Sequence, residues 1–479
     1  MRMGARSYGL TITIIDQRGR DLAIIPPETL DKASRSELLN TLFGQHLSSD
    51  IISKMELDAR AHFLRALPIH FSAIKLALQQ QDTPFEVAFE ERPALPFKTE
   101  LALEPRPYQQ EALTAWLAAH NSGVVVLPTG AGKTFVAATA IHATQVWTLA
   151  VVPTIDLLQQ WRVALAAALA VPIEEIGMFG GGEKELKPIT IITYDSAALY
   201  PRELRRFGLL IFDECHHLPA PTYRLIAEST FTPLRLGLSA TPERSDMAHI
   251  ELEELIGPEV YRRSPSELTE GRFLAQYREQ QINIALGPEE QERYTEQRRR
   301  YRSFLQRRHI IIRNPEDFQQ KIIYMSARDP EAREAMLAWR EARNIAMNAP
   351  AKYTEIERLL LAHSHDQVIL FSEYNFVVDE MSRRFCIPSI TYKTPTEERR
   401  TILERFRSGD YTKLATGRVL NEGVDVPDCR VAIIVSGNST KREYIQRLGR
   451  ILRPKEGLAL LYELVSADTT EEGISKRRR

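Results

Sequence analysis

The chain has 479 residues, which at about 100 to 200 residues per domain implies two to four domains and excludes a small disulfide scaffold. Apolar residues make up 43% and charged residues 26%, enough to fill full-sized cores and too apolar for a disordered chain. Lys and Arg total 62 against 63 for Asp and Glu, a net charge of -1, so no global field draws the chain to nucleic acid or membrane, and any polyanion site is a local patch.

Residues 1–95 read as an accessory domain, with an alternating segment at 8–15, helix-like runs at 37–43 and 73–79, and no chemical motif. The apolar stretch 10–15 stops at Asp16, too short for a signal peptide. No segment reaches the roughly 18 apolar residues of a membrane span, so a cytoplasmic protein with no membrane partner is expected. Cys215, Cys386 and Cys429 lie far apart without CxxC spacing, which suits a reducing compartment and indicates neither a zinc site nor a disulfide framework. Pro93, Pro96, Pro105 and Pro107, with fixed φ and no N–H, suit a linker and put the first boundary near residue 95.

Residues 96–284 alternate short apolar runs (124–127, 148–152, 189–193, 209–212 and 234–238) with helical patterns. Runs apolar on both faces are what buried parallel strands need, so this is a doubly wound α/β lobe. Residues 285–345 differ: the piece 291–313 holds eight Arg against two Glu, with Tyr294, Tyr301, Phe304 and Leu305 at helical spacing. A basic helix bearing Arg299, Arg300 and Arg302 is a candidate grip on a phosphate backbone, against the plainer reading of a solvated helix whose aromatics dock on a lobe. Residues 346–479 form a second α/β series, with apolar runs at 368–371, 389–392, 431–435 and 458–464 and a helix-like segment at 397–406. His363, His365 and the basic end 476–479 read as surface features, the last as a frayed tail.

The chemistry starts at Thr129-Gly130-Ala131-Gly132-Lys133-Thr134, set between an apolar strand run and the helical run 135–141. Glycines let a loop turn its N–H groups toward a phosphate, and the helix that follows adds the positive end of its dipole. Lys133 would pair with the β and γ phosphates, and Thr134 would offer its hydroxyl to Mg²⁺. The longer GxxxxGK[ST] pattern is not met, because Leu127 takes the first glycine position. Asp213-Glu214 follows an apolar run directly: Asp213 would hold Mg²⁺, and Glu214 could accept the proton of the attacking water. Asp213, Glu214, Cys215, His216 and His217 are all metal-ligand types, but on an extended backbone consecutive side chains point to opposite faces and cannot converge on one ion. The second lobe has no GKT sequence; it offers Gln446, Arg450 and Arg453, spaced to share one helix face and stabilise charge on a transferring phosphoryl group, against the plainer reading of a solvated basic helix.

In this order the P-loop, Asp213-Glu214-Cys215-His216, Ser239-Ala240-Thr241, residues 416–427 and residues 446–453 resemble a superfamily 2 helicase or translocase. Arg106-Pro107-Tyr108-Gln109, Thr193-Tyr194-Asp195-Ser196, residues 213–218 and residues 443–454 are similar to the xeroderma pigmentosum group B (XPB) branch, in its archaeal and bacterial form, and the resemblance covers about residues 85–466. It implies two tandem RecA-like lobes with a helical thumb-like insertion, and an ATP-dependent 3′ to 5′ DNA helicase or translocase of repair or transcription, with a nuclease as a partner. By the same resemblance Arg106 and Gln109 would recognise adenine, and Gly423 and Asp425 would approach the nucleotide from the second lobe. His216, Ser239 and Thr241 would couple hydrolysis to movement; Pro153, Thr154, Thr193 and Thr416 would touch the nucleic-acid backbone. The family's strand-separating Arg-Glu-Asp loop corresponds to Arg244-Ser245-Asp246, with one acid lost, and residues 1–95 stand where relatives carry a damage-recognition-like domain. Two rival functions are an ATP-switched nucleic-acid clamp without productive unwinding and a P-loop motor unrelated to nucleic acid.

Overall fold

The computed structural model describes residues 12–17, 21–26, 33–58, 60, 63–88, 93–201, 203–244, 246–271, 277–313, 315–417, 429–437 and 458–478. They form three sheets and divide into two compact units, Met1–Ser264 and Pro265–Arg479. No helix among the described residues is long and apolar enough to cross a membrane.

The first sheet belongs to the accessory domain and comprises β1 (Ile12–Gln17), β2 (Asp21–Ile25), β3 (Glu56–Asp58), β4 (Phe63–Ala66) and β5 (Phe85–Val87). Its order is β3-β4-β2-β1-β5, antiparallel except for the β1/β5 pair. Helix Arg35–Phe43 begins with a capping box, Ser34 Oγ accepting from Glu37 N while Glu37 accepts from Ser34 N, which satisfies N–H groups that the helix cannot. It sends Leu38, Leu42 and Phe43 into a core with Ile12, Ile14, Leu22 and Ile24. Phe231, from the lobe that follows, is buried in this same core, edge-on to Phe71 at 6.0 Å between centroids. Ile69 packs in return against the lobe's core, and Lys54 Nζ meets Glu254 Oε1 at 3.0 Å, so the accessory domain is docked on the first lobe.

That lobe is built on β6 (Ser122–Val126), β7 (Thr148–Val152), β8 (Ile176–Gly180), β9 (Glu183–Lys184), β10 (Ile189–Thr193), β11 (Leu209–Asp213), β12 (Leu234–Ser239) and β13 (Glu259–Arg262). The order β13-β6-β12-β11-β7-β10-β8-β9 is parallel throughout except for the short β8/β9 pair. Strands β7, β8, β10, β11 and β12 are buried along their whole length, because helices cover both faces of a doubly wound sheet. The register sets Thr193 beside Val152, Asp213 beside Leu238, and Ser239 beside Val126. One carboxyl edge therefore collects the loops after β6, β7, β10, β11 and β12, the edge where open α/β sheets bind ligands.

The second unit carries β14 (Tyr277–Ile284), β15 (Val368–Ser372), β16 (Ser389–Ile390), β17 (Lys413–Thr416), β18 (Val431–Ser436) and β19 (Ala459–Ser466), all parallel, in the order β14-β19-β18-β15-β17-β16. The sequence puts the end of the first lobe at 284; instead the division falls after Ser264, and β14 pairs residue for residue with β19. The expectation fails because β14, YREQQINI, is an edge strand: with one neighbour and polar residues, it lacks the apolar run of a buried strand. Within the insertion, helix Pro288–Arg307 packs on helix Pro330–Met347 and buries Tyr294, Tyr301 and Phe304, so its aromatics are core and its arginines line the outside. One surface reading changes: His363 is largely buried, its ring nitrogens 2.9 Å from Asp366 Oδ2 and 3.0 Å from Tyr462 Oη, whereas Lys476 is exposed in the last turn of helix Thr470–Arg478 and Arg479 lies outside the described residues.

Candidate active site

The loop between β6 and helix Lys133–Thr144 turns through Gly130 at φ 85° and Gly132 at φ 77°, a left-handed backbone that suits glycine. Gly132 has a second constraint: a Cβ there would sit 2.8 Å from Gln109 Nε2. Gln109 braces the loop, its Nε2 donating to the carbonyls of Ala131 at 3.2 Å and Gly132 at 3.4 Å while its Oε1 accepts from Arg106 N at 3.0 Å. Tyr108 Oη donates to the same Ala131 carbonyl at 2.7 Å. The amide expected to read adenine is thus engaged with the phosphate loop itself, and the Arg106 side chain lies exposed. Tyr108 carries a role that its place in the Arg-Pro-Tyr-Gln motif did not assign.

Lys133 Nζ stands 3.4 Å from Glu214 Oε1, with both side chains nearly buried. Glu214 adopts a left-handed φ of 45°, and residues Cys215–His217 form a single 3-10 turn. The backbone after Asp213 is therefore not extended, so the alternation argument against metal ligation does not apply to it; the imidazoles of His216 and His217 lie side by side, 4.3 Å between centroids. The Glu214 carboxylate also accepts from Ser239 Oγ at 3.4 Å and lies 3.5 Å from His216 Nδ1, while Ser239 Oγ accepts from Thr241 N at 3.1 Å. The proposed base and the three expected coupling residues therefore form one connected group.

Asp213 is buried, and Trp161 Nε1 donates to its Oδ2 at 3.1 Å. Burial, then the neighbouring Glu214 carboxylate, push its carboxyl up to about 7, opposed by Lys133 and the indole N–H. Two acids facing one ammonium leave an excess of negative charge out of water, a donor set suited to a hard divalent cation. Thr129 Oγ1 and Thr241 Oγ1 are buried without a hydrogen-bond partner, polar atoms that a bound group would satisfy. The site fits a nucleoside triphosphate with Mg²⁺, held by the loop 129–134 and by Asp213.

The remaining expected residues are spread more widely. Thr154 and Thr193 cap helices Ile155–Ala168 and Tyr194–Leu199, accepting from Leu157 N and Ser196 N at 3.3 Å each, and Pro153 directly follows β7. Thr416 is fully buried at the end of β17, its hydroxyl on Gly417 O, so its side chain is not presented at the surface. Arg299 and Arg300 both pair with Glu296 on an exposed face, and Arg302 lines a basic cavity of about 870 Å³ with Arg298 and Trp339. Arg244 grips Asp246 through two hydrogen bonds of 2.9 and 2.6 Å and donates to His216 O at 2.8 Å, tying that loop to the turn after β11. Gly423, Asp425, Gln446, Arg450 and Arg453 lie outside the described residues.

A glycine loop, an acid pair and a Ser-Ala-Thr segment on one carboxyl edge, followed by a second parallel sheet, define a P-loop nucleotide hydrolase with two RecA-like lobes. Residues 102–244 match the family model of the type III restriction enzyme res subunit, and residues 333–479 that of the ERCC3/RAD25/XPB C-terminal helicase. The chain is 44% identical to the DNA 3′-5′ translocase XPB2 of Sulfurisphaera tokodaii over 79% of its own length and 85% of the relative's. It is 28% identical to the DNA 3′-5′ helicase XPB of Kineococcus radiotolerans over 99% of this chain and 78% of that one. The chain belongs to the XPB family. The Hef helicase domain of Pyrococcus furiosus superposes with a TM-score of 0.55 at 18% identity, covering 78% of this chain and 98% of that one, a likeness of fold.

Proposed function

We propose that the chain is an ATP-dependent DNA helicase or translocase that moves 3′ to 5′, acting in nucleotide excision repair or transcription-linked opening of DNA. The observation that carries this reading is the group Lys133, Glu214, His216 and Ser239, connected within 3.5 Å and directly preceded by the buried Asp213, on the edge that also bears Thr154 and Thr193. Lys133 and the loop amides bind the terminal phosphates, Thr134 and Asp213 hold Mg²⁺, and Glu214 takes the proton from the attacking water. When bound, Mg²⁺ neutralises phosphate charge. Because Glu214 also touches Ser239 and His216, a change of charge on its carboxylate reaches the coupling residues directly. Arg450 and Arg453 are proposed to stabilise charge on the transferring group.

Thr154, Thr193 and the arginines 299, 300 and 302 are proposed as contacts to the DNA backbone, largely independent of sequence and sensitive to salt. The buried hydroxyl of Thr416 leaves only its backbone for that role. Three free cysteines fit a reducing compartment, the cytoplasm. The family resemblance is the ground for a nuclease partner. ATPase assays with single-stranded, duplex and forked DNA and with RNA test the reading: DNA is expected to raise turnover several-fold. DNA that binds without stimulating points to the clamp, and DNA that neither binds nor stimulates points to an unrelated motor.

A further inference from the structure

Asp213 is held by two side chains that the nucleotide reading does not use. Trp161 Nε1 donates to its carboxylate at 3.1 Å, and Tyr194 Oη donates to its main-chain carbonyl at 3.0 Å. Both side chains are buried, 3% and 2% exposed, so neither bond competes with water. They reach Asp213 from different elements. Trp161 lies in helix Ile155–Ala168, whose N-cap is Thr154, and Tyr194 is the first residue of helix Tyr194–Leu199, whose N-cap is Thr193. Thr154 lies two residues beyond β7 and Thr193 is the last residue of β10, adjacent strands, with β7 lying next to β11. The two helices whose amino ends are proposed to meet the DNA backbone are thus the two that fasten Asp213, one by its carboxylate and one by its backbone.

A hydrogen bond to a buried carboxylate is stronger and more directional than one between neutral groups, so a small shift of the Trp161 ring changes the orientation of the Asp213 oxygens. From Thr154 to Trp161 is seven residues of rigid helix, about 10 Å, short enough for a displacement at the cap to arrive undamped. Tyr194 has no length to cross, because it adjoins its cap. Its ring is further braced by Tyr223 at 5.2 Å and His217 at 5.8 Å between centroids, and Tyr223 Oη donates to Asp195 Oδ1 at 2.7 Å. Trp116, another core tryptophan of this lobe, directs its N–H to a main-chain carbonyl, that of Arg235 at 2.9 Å, whereas Trp161 directs its own to an ionisable side chain of the site.

We infer that Trp161 and Tyr194 are positioning residues that carry DNA engagement at Thr154 and Thr193 to Asp213, setting the carboxylate for metal and nucleotide only when the backbone is gripped. This rests on the DNA-translocase reading and says how the polymer stimulates turnover. Such coupling is reciprocal: if DNA improves the nucleotide site by some factor, nucleotide improves DNA affinity by the same factor.

The experiment uses Trp161→Phe and Tyr194→Phe in the full chain, the second removing a single oxygen. In wild type, DNA raises kcat, and a non-hydrolysable ATP analogue with Mg²⁺ changes DNA affinity in fluorescence anisotropy. In each variant the ratio of DNA-stimulated to basal kcat is expected to fall about three- to tenfold and the analogue's effect on DNA affinity to shrink by a similar factor. DNA affinity without nucleotide is expected to stay close to wild type in both variants; Trp161→Phe loses core volume and should lower the melting temperature, so Tyr194→Phe, which keeps the packing, is the variant that separates positioning from stability. Full stimulation and full analogue effect in both variants overturn the inference alone. Wild-type turnover that DNA leaves unchanged overturns the translocase reading, and the inference with it.

Discussion

The two parallel sheets end in carboxyl edges of opposite character. At the first, two acids face one ammonium, Lys133 sits 3.4 Å from Glu214, and the hydroxyls of Thr129 and Thr241 have no partner. At the second, Lys352 is matched by one acid, Glu471, at 2.8 Å, and also donates to Val435 O at 2.8 Å, with both charged side chains 1% exposed. Ser372 and Ser436 bond each other at 2.8 Å, and Thr416 bonds Gly417 O. A shared architecture thus gives one edge with hydroxyls and a carboxylate left over for a ligand and one where Lys352, Glu471, Ser372, Ser436 and Thr416 satisfy one another or the main chain. Binding chemistry follows from what the fold leaves unsatisfied, since a closed network has nothing to offer a substrate.

The largest expected effect is at the unsatisfied edge. Lys133→Ala should lower ATP turnover by about three orders of magnitude or more, and DNA-stimulated hydrolysis persisting in that variant would break the contrast at its root. Glu214→Gln should keep nucleotide binding, read with a fluorescent ATP analogue, while lowering kcat by about 10² to 10⁴. At the closed edge the same kind of substitution should act on stability. Lys352→Met leaves Glu471 buried without its partner and should cost about 3 to 5 kcal/mol in chemical denaturation, and pairing it with Glu471→Leu should restore most of that. If Lys352→Met instead altered nucleotide binding with stability intact, the second edge would be a site after all.

Smaller effects sharpen the comparison away from the edges. Replacing Arg299, Arg300 and Arg302 with Glu should weaken DNA binding about tenfold near 0.1 M salt and reduce the log-log salt slope by about two to three, without changing basal ATPase. The smallest effect concerns the docked accessory domain. Burial, and then the Lys54 ammonium, hold the His70 imidazole below its usual range, and its Nε2 is buried without a partner. An imidazole with a lowered folded value contributes stability above about 6.5, lost as pH falls below that and the unfolded chain takes up the proton first. Relative to His70→Phe, the wild-type melting temperature should therefore fall on acidification from pH 7; the difference between the two proteins isolates His70 from Asp213, whose raised carboxyl acts with the opposite sign.

Much of the first lobe could be read from local pattern. The runs at 148–152 and 189–193 are the strands observed, and the others shift by one or two residues, because a strand buried on both faces is apolar without interruption. The glycine loop and the acid pair at the end of β11 are legible for the same local reason: a tight loop needs particular backbone angles, and the acids directly follow an apolar run. What local pattern missed is instructive by position. β14 is invisible because an edge strand carries polar residues, and the sequence left open what the insertion's aromatics pack on, which is a neighbouring helix of the insertion itself.

The sequence by itself determined the order of elements and the reactive groups, since propensity, apolar runs and loop chemistry act over a few residues. Tertiary structure alone decided their wiring: Trp161 meets Asp213 across 52 positions and Lys352 meets Glu471 across 119. No periodicity marks such pairs, because a long-range contact is made by the stacking of whole elements, and only the completed fold settles which carboxylate is matched by a cation and which is held by an indole N–H instead.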